Sequence, residues 1–310
     1  MNIHPGVVGI DVSKHHLDVF DAKLGRSERL ANTPAALVPK LAAWRESEAF
    51  VLFEATGSYD RALARMLVAA GIAFARVNPG RARDFARAAG FLAKTDAVDA
   101  RMLAAMAQCL RPKAQAAADP QREAMATLHK RRDQLVAARQ QERTRKHECQ
   151  DEDIAADLAA HLAFLDQAIA RITQRIKTLI ASSQTLEQAA SLLTSVPGVG
   201  LITAATLLAL MPELGNGTPK SIAALAGLAP FNTDSGAFRG TRCVRGGRKR
   251  IRDALYMAAV SAAHSKSRFA AFYKALRSAG KPPKLAFIAL ARKLLVTLNA
   301  ILRDKLAFQP

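Results

Sequence analysis

The sequence has few aromatic residues, few cysteines and few acidic residues for its length. Aromatic side chains are 5% of the 310 residues, so alanine and leucine must supply most of the core, and this bias favours helices. The three cysteines, Cys109, Cys149 and Cys243, are far apart and form no metal-binding pair. This pattern argues against a disulfide scaffold or a zinc site and predicts reduced thiols in a cytoplasmic protein.

Long uncharged hydrophobic runs are also missing. The run that comes closest to a membrane span, LAFIALARKLLVTLNAIL, is interrupted by Arg292 and Lys293. The first residues, MNIHPGVVGIDVSK, lack the basic region of a secretory signal peptide and reach an aspartate early. We therefore expect neither a membrane span nor a signal peptide. The length predicts two or three domains, or one domain with a long insertion.

Acidic residues are scarcest in the last third of the chain. The formal net charge is +19, and the sequence pI is about 10.5. Residues 221–310 contain 17 Lys/Arg and 3 Asp/Glu, whereas residues 1–110 contain 14 and 11. Such a balance predicts a polyanionic partner. Nucleic acid is favoured over a membrane surface because no basic amphipathic anchor stands out.

The first 110 residues alternate strand and helix patterns. VVGIDVSKHHLDVFDA predicts two strands with a tight turn near Lys14. NTPAALVPKLAAW and SYDRALARMLVAAG predict helices, and AFVLFEAT and IAFARVNP predict short apolar strands. This order indicates a mixed α/β sheet.

The rest of the chain is predicted to be helical. One apolar series follows alternating spacings of 4 and 3, which is typical of a coiled-coil seam: Leu158, Leu162, Leu165, Ile169, Ile172, Ile176 and Leu179. We expect a helical hairpin arm, packed on itself or on another subunit, with an internal bundle as the alternative. The predicted division is residues 1–110, the arm 111–185, and a mostly helical domain 186–310.

Four carboxylates stand out in the first domain. Asp11 and Glu54 lie in or at the end of apolar strands, where a carboxylate is costly unless it is paired or holds a cation. Asp96 and Asp99, in KTDAVDARML, share one face of a helix. Oxygen ligands of this kind suit Mg²⁺ or Mn²⁺, and two such ions are a common device for phosphodiester cleavage. Asp96 alone would be equally well explained as a helix-start acid, and we interpret Asp18 and Asp21 as strand-exposed or turn residues.

Two basic or glycine-rich segments follow in the last domain. SVPGVGLITA resembles a helix–hairpin–helix turn, in which the backbone amides of Gly198 and Gly200 would bind a phosphate, although an ordinary helix connection fits as well. The segment 231–255 contains a dense basic cluster that predicts phosphate binding: Arg239, Arg242, Arg245, Arg248, Lys249, Arg250 and Arg252. Ser235 precedes this cluster and could attack a phosphorus, but spacing alone favours a turn-capping role for it.

Together these segments resemble a known family. GIDVSK, FEATGSY and KTDAVDARMLA are similar to the three blocks of the DEDD transposases of the insertion-sequence one-ten family, which includes the Piv-type DNA invertases. PGVGLITAATLLAL, LAGLAPFNTDSG and RGGRKRIRDALYMAA resemble that family's C-terminal domain. The resemblance covers nearly the whole chain, with residues 111–185 similar in helical character only. One departure is Arg248, which stands where many members have asparagine after glycine.

The resemblance implies a fold, an activity and partners. The fold would be a RuvC-like RNase H domain, a coiled-coil arm that mediates oligomerisation as a dimer or tetramer, and a helical transposase domain. Asp11, Glu54, Asp96 and Asp99 would bind Mg²⁺, and Ser235 would be a nucleophile that forms a covalent link to DNA. A noncoding guide RNA would select the sequence, and the protein would act in the bacterial cytoplasm.

Three hypotheses follow for the function. The first is a DNA transposase or site-specific recombinase. The second is a metal-dependent nuclease of the Holliday-junction type, or a DNA invertase without guide RNA. The third is a non-catalytic nucleic-acid-binding protein, which gains nothing from a carboxylate cluster facing DNA.

Overall fold

The computed structural model describes residues 6–55, 57, 59–91, 95–115, 119–232 and 243–309. The chain divides into two compact units, residues 1–117 and 118–310. The helical arm expected at 111–185 belongs for the most part to the second unit, while the division into three domains stays a prediction. The first unit is mixed α/β and the second is almost entirely helical, which confirms the predicted fold class at this level.

The described residues of the first unit form five strands and four helices. Their bounds, in chain order, are β1 (Gly6–Val12), β2 (His16–Asp21), β3 (Arg26–Ala31), α1 (Pro34–Glu46), β4 (Ala49–Glu54), α2 (Arg61–Ala69), β5 (Phe74–Val77), α3 (Pro79–Ala88) and α4 (Asp96–Leu110). The sheet order is β3-β2-β1-β4-β5. β1, β2 and β3 are antiparallel, whereas β4 pairs with β1, and β5 with β4, in parallel.

The predicted strands are confirmed, and one strand was missed. β1 and β2 are joined at Lys14, as the sequence predicted, and β4 ends at Glu54. β3 has the sequence RSERLA and is mostly exposed. It forms the edge of the sheet and needs no apolar face of its own, so it lacks the alternation by which strands are recognised.

Side-chain alternation divides the sheet into two faces. Val8, Ile10 and Phe53 belong to one core cluster, with buried residues of α1 and α2. Val7 and Leu52 belong to another, with buried residues of α4. Because side chains two residues apart point to the same face, the positions that follow Val7 and Leu52 by two or four residues face α4. We refer to this side as the α4 face.

Gly9 lets α4 lie directly on β1. A Cβ at this position would be 2.1 Å from the carbonyl oxygen of Ala100 and 2.5 Å from the amide nitrogen of Ala104. We expect Gly9→Ala to destabilise the protein by about 3 kcal/mol, because the α4 backbone must move away. Gly6→Ala is the matched control, since its Cβ would make only an ordinary contact at 3.8 Å. Equal urea midpoints for the two variants would contradict this account.

The described residues of the second unit form eight helices and one short hairpin. Their bounds are α5 (Pro120–Glu148), α6 (Glu152–Ala181), α7 (Gln184–Thr194), α8 (Leu201–Leu210), α9 (Pro219–Leu225), β6 (Pro230–Phe231), β7 (Cys243–Val244), α10 (Lys249–Ala263), α11 (Arg268–Ser278) and α12 (Pro283–Asp304). β6 and β7 pair antiparallel. The segment between them, 233–242, lies outside the described residues.

α5 and α6 form an antiparallel helical hairpin. Leu165, Ile169 and Ile176 of the predicted seam are buried, and the other seam residues are at least half-buried. Leu165 and Ile169 pack with Leu135 of α5, which shows that the seam contacts the same chain. A hydrogen bond from Arg139 Nη1 to Asp166 Oδ1, at 2.7 Å, also joins the two helices, one turn of α5 beyond Leu135.

α12 is the central helix of the second unit. Among the described residues it is the one helix whose length and apolar composition would allow it to cross a membrane. Its apolar side instead faces a core that also includes α7, α8 and α10, and it contributes Leu290, Leu294 and Leu298 there. The buried Asn299 donates to the carbonyl of Gly217 and accepts from the amide of Gly215, so it fixes the loop before α9.

Candidate active site

Asp11 and Glu54 lie side by side on the α4 face. The β1–β4 register places Ile10 beside Phe53, so the next residues in the two strands are neighbours. Asp11 follows Gly9 by two residues and Glu54 follows Leu52 by two, which puts both carboxylates on the α4 face. The sheet therefore brings these two predicted site residues together.

α4 brings the other two predicted carboxylates to the same face. The Thr95 hydroxyl accepts a hydrogen bond from the Val98 amide at 3.3 Å, so Thr95 is the N-cap and α4 begins at Asp96. Asp96 and Asp99 lie in the first turn, where the positive end of the helix dipole favours carboxylates. The capping explanation and the site explanation of these aspartates are therefore compatible. Lys94, whose role the sequence left open, is outside the described residues.

The environment of Asp11 shows that the carboxylates act on one another. Burial, which has the largest effect, and the negative charges of Asp99, Asp96, Glu54 and Asp18, in that order, together raise the pKa of Asp11 to about 6. A group of like charges around a half-buried carboxylate disfavours its ionised form. Perturbation of this kind, through burial and specific charged neighbours, is typical of functional sites.

Asp18 is a fifth carboxylate of this face, and our interpretation of it as an exposed or turn residue was wrong. It pairs with Asp11 across β1 and β2 and is only 7% exposed. Its oxygens accept hydrogen bonds from Arg29 Nε at 2.9 Å and Nη2 at 3.0 Å. This position of Asp18 could have been predicted from the turn near Lys14, because a hairpin centred there pairs Asp18 with Asp11. Asp21 is the last residue of β2, and its Oδ1 accepts hydrogen bonds from the Lys23 and Leu24 amides of the following turn.

Arg29 connects Asp18 to the start of α4. Its Nη2 also donates to Oδ2 of Asp96 at 2.7 Å. The hydrogen bond and charge of Asp18 raise the pKa of Arg29 above its ordinary value, with a smaller contribution from Asp96. Arg29 was not among the predicted site residues, because the edge strand that carries it has no apolar alternation by which it could be predicted.

The four predicted ligands fit a hard divalent cation by their chemistry. They are oxygen donors, and their mutual repulsion at Asp11 is what a cation would relieve. In the described part of the chain, no group of three or more Asp, Glu, His or Cys side chains is close enough to enclose a metal ion as it stands. The donor set therefore fits the ion by its chemistry.

The glycine-rich turn before α8 has an internal packing role. A Cβ at Gly198, which has a φ of +88°, would lie 2.5 Å from the carbonyl oxygen of Ala258 and 2.6 Å from the amide of Ala262. The turn therefore packs closely on α10 at this residue. Gly200 differs, because it borders open space and is the N-cap of α8. Gly200 is therefore the exposed one of the two predicted phosphate contacts.

Two arginines of the basic cluster are bound within the second unit. Arg248 donates to both carboxylate oxygens of Glu213, at 2.6 and 2.7 Å, and to the carbonyl of Leu210. This pairing lowers the pKa of Glu213 and gives the family departure at Arg248 a structural explanation. Arg252 donates to the carbonyl of Gly246 at 2.7 Å. Their predicted contacts with nucleic acid stay predictions, and these guanidinium groups already hold loops in place.

The remaining described members of the cluster are one partly buried arginine and two exposed cations. Arg250 forms an ion pair with Asp133 of α5. Lys249 is 79% exposed at the start of α10, where its Nζ pairs with the exposed Asp253 Oδ2 at 2.6 Å, and Arg245 is exposed with its guanidinium 5.4 Å from the ring centre of Phe231. These two cations can reach a ligand in solvent. Ser235, Arg239 and Arg242 lie outside the described residues.

Comparisons with known proteins match both units. Residues 8–152 match the IS110-type DEDD family, described as transposase, and residues 190–274 match the family described as "Transposase IS116/IS110/IS902 family". The first range contains the four predicted metal ligands, and the second contains Gly198, Ser235 and the basic cluster.

Individual relatives agree with these matches. The chain is 27% identical over 316 residues to the pilin gene-inverting protein of Moraxella lacunata, covering 97% of each. It is 29% identical to the pilin gene-inverting protein of Moraxella bovis, covering 86% of this chain and 83% of the relative. A Streptomyces coelicolor protein of insertion element IS110, described as uncharacterized, is 36% identical over 36% of this chain and 28% of its own length. The chain therefore belongs to the IS110-type family of DNA transposases and recombinases.

Proposed function

We propose that the chain cuts and rejoins DNA as the transposase of an insertion sequence, with an active site on the α4 face. The observation that supports this most directly is the convergence of carboxylates on one strand end: Asp18 and Glu54 neighbour Asp11 in the sheet, and the start of α4 brings Asp96 and Asp99. A protein that only binds polyanions gains nothing from such a cluster, because the acids repel the phosphates. The pilin gene-inverting relatives are consistent with recombination of DNA as the reaction.

Asp11, Glu54, Asp96 and Asp99 would hold Mg²⁺, or Mn²⁺ in its place. When bound, the cation supplies positive charge that polarises the scissile phosphate and stabilises its charged transition state. The chain's own contribution is to fix the carboxylates on two central strands and one helix start. Close packing of α4 on Gly9 keeps Asp96 and Asp99 aligned with Asp11.

Ser235 would be the nucleophile. Its oxygen forms a bond to phosphorus and gives up its proton, while the bond from phosphorus to one deoxyribose oxygen breaks and that oxygen leaves as a hydroxyl. The number of phosphoester bonds is unchanged, so rejoining reverses the step without another energy source. The exposed cations Arg245 and Lys249, near Ser235 in sequence, are suited to neutralise phosphate charge.

The finer architecture belongs to the same proposal. The mixed sheet with three antiparallel and two parallel strands supports a RuvC-like RNase H fold for the first domain. The turn between α7 and α8 would act as a helix–hairpin–helix element through Gly200. The coiled-coil arm of α5 and α6 would mediate oligomerisation, and the exposure of Ile154 and Phe164 on α6 supports this role.

DNA is the proposed substrate, and a noncoding guide RNA is the proposed second partner. The excess of basic residues over acidic ones in residues 221–310 supports binding of more than one nucleic-acid strand. Phosphate contacts of this kind position a strand and carry no sequence information, so selection of the target falls to the RNA. The protein would act in the bacterial cytoplasm.

The proposal is tested by incubating the purified chain with supercoiled DNA that carries the element ends and the flanking noncoding segment. We expect strand cleavage with Mg²⁺ or Mn²⁺, none with EDTA, and loss of recombination after RNase treatment of the transcribed segment. Cleavage that is equally fast in EDTA would contradict the metal site. Metal-dependent cleavage without rejoining or a covalent adduct would favour the nuclease alternative.

A further inference from the structure

We propose that Arg29 is a positioning residue for Asp96, held in place by the buried carboxylate of Asp18. This inference rests on the proposed metal site and adds two residues to it. Neither residue is a proposed ligand. Their role is to keep one ligand on the α4 face at the correct orientation.

The register of three strands creates the arrangement. Asp18 pairs with Asp11 across β1 and β2, and it pairs with Arg29 across β2 and β3. Directly opposite residues in a sheet share a face, so the three side chains form a row that crosses the sheet below the start of α4. Asp96, the first residue of α4, lies at the β3 end of that row.

The guanidinium group makes two kinds of contact at once. Nε and Nη2 bind the two oxygens of Asp18, at 2.9 and 3.0 Å, and Nη2 also binds Oδ2 of Asp96 at 2.7 Å. The Asp18 side chain is almost fully buried, while Asp96 is largely exposed. Asp18 therefore anchors the guanidinium, and the guanidinium restrains a carboxylate that would otherwise move freely in solvent.

Within the described residues, the contact of Arg29 leaves one oxygen of Asp96 for a cation. Arg29 contacts Oδ2, and a carboxylate that is hydrogen-bonded at one oxygen can bind metal with the other. Groups that orient a metal ligand in this way commonly contribute 10–100-fold to metal affinity. A lysine at the same position keeps the charge that Asp18 requires but lacks the fork that binds both carboxylates.

The test measures Mn²⁺ binding by the full-length chain through the electron paramagnetic resonance signal of free Mn²⁺, without DNA. We expect Arg29→Lys to weaken binding about tenfold at an unchanged melting temperature. The paired change Asp18→Asn with Arg29→Gln, which leaves no buried charge unpaired, is expected to weaken it similarly. Arg26→Lys is the matched control, because it lies three residues away on the opposite face of β3 and should leave affinity unchanged.

A double-mutant cycle separates positioning from a structural role. If Arg29 acts through Asp96, Arg29→Lys should weaken Mn²⁺ binding by less than about twofold when Asp96 is already replaced by Asn. A tenfold loss of Mn²⁺ affinity in both backgrounds overturns the inference. Wild-type affinity in Arg29→Lys also overturns it, and so does tighter binding, which would mean that Arg29 competes with the cation. If Asp11→Asn and Asp99→Asn also leave Mn²⁺ affinity unchanged, the proposed metal site itself fails. If these two weaken binding and Arg29→Lys does not, only the role of Arg29 fails.

Discussion

Asp11→Asn is expected to abolish DNA cleavage and, in the same protein, to raise the stability of the metal-free state above pH 6. Asparagine keeps the size of the side chain and one oxygen but removes the charge that would bind a divalent cation. Loss of one charged contact to a phosphoryl transition state is expected to slow cleavage by at least about 1,000-fold. Cleavage of a labelled DNA substrate in Mg²⁺ measures this effect.

The effect of Asp11→Asn on folding stability is favourable, because the ionised Asp11 carboxylate destabilises the metal-free folded state. Its pKa is about 6 in the folded protein and near 3.8 in an unfolded chain. A raised pKa means that the protonated folded form is favoured, so stability is lost as the pH rises from 4 through 6. The shift corresponds to a few kcal/mol at most, and solvent around this partly exposed group reduces the expected loss to about 1–2 kcal/mol.

We therefore expect wild type and Asp11→Asn to unfold at the same urea concentration near pH 4 in EDTA. At pH 7.5 in EDTA the variant should be the more stable protein, and Mg²⁺ should stabilise only the wild type. Asp21→Asn is the matched control, since Asp21 lies in the same strand pair on the opposite face and accepts hydrogen bonds that asparagine can also accept. A variant that is less stable than wild type at pH 7.5 would contradict the charge repulsion at this site.

Ser235→Ala is expected to abolish the covalent protein–DNA adduct and recombination, with DNA binding reduced less than about twofold. Alanine removes the attacking oxygen and leaves the charges of the neighbouring segment unchanged. The loss should be complete within detection, because alanine offers no other nucleophilic atom. A nicked suicide substrate traps the adduct, which is then resolved by denaturing electrophoresis.

Ser261→Ala provides the control for this experiment, because Ser261 is an exposed serine on α10 within the same family-matched range. It should form the adduct at the wild-type level. Recombination at the wild-type rate by Ser235→Ala would show that another group attacks the phosphorus. Retention of metal-dependent nicking without any adduct would instead identify water as the nucleophile.

The sequence was sufficient where one residue in an apolar segment decides the outcome. Asp11 and Glu54 are carboxylates in or at the end of short apolar strands, and burial of such a group without a purpose is costly, so each could be identified from its neighbours alone. The role of Thr95 was left open by the sequence, and the structure shows that it caps α4. The sequence also predicted the hairpin turn at Lys14, the alternation of strands and helices in the first unit and the helical seam of α6.

The sequence was insufficient where the partner of a charge is distant. Arg248 looked like part of a phosphate-binding cluster, yet it binds Glu213, which lies in the loop after α8. Arg250 was predicted as part of the same cluster, yet it forms an ion pair with Asp133 of α5. Local sequence shows how much charge a segment carries. Only the packing of helices shows which charges are already neutralised and which face solvent.

For this protein, composition and apolar periodicity by themselves determined the fold class, the basic last third and the strand positions of two carboxylates, because these follow from neighbouring residues. The tertiary structure decided that Asp18 belongs to the same face, that Arg29 bridges it to Asp96, and that Gly9 is the contact point of α4. These features depend on strand register and on the approach of a helix from far along the chain. A contact of 2.7 Å between side chains 67 residues apart leaves no trace in local periodicity.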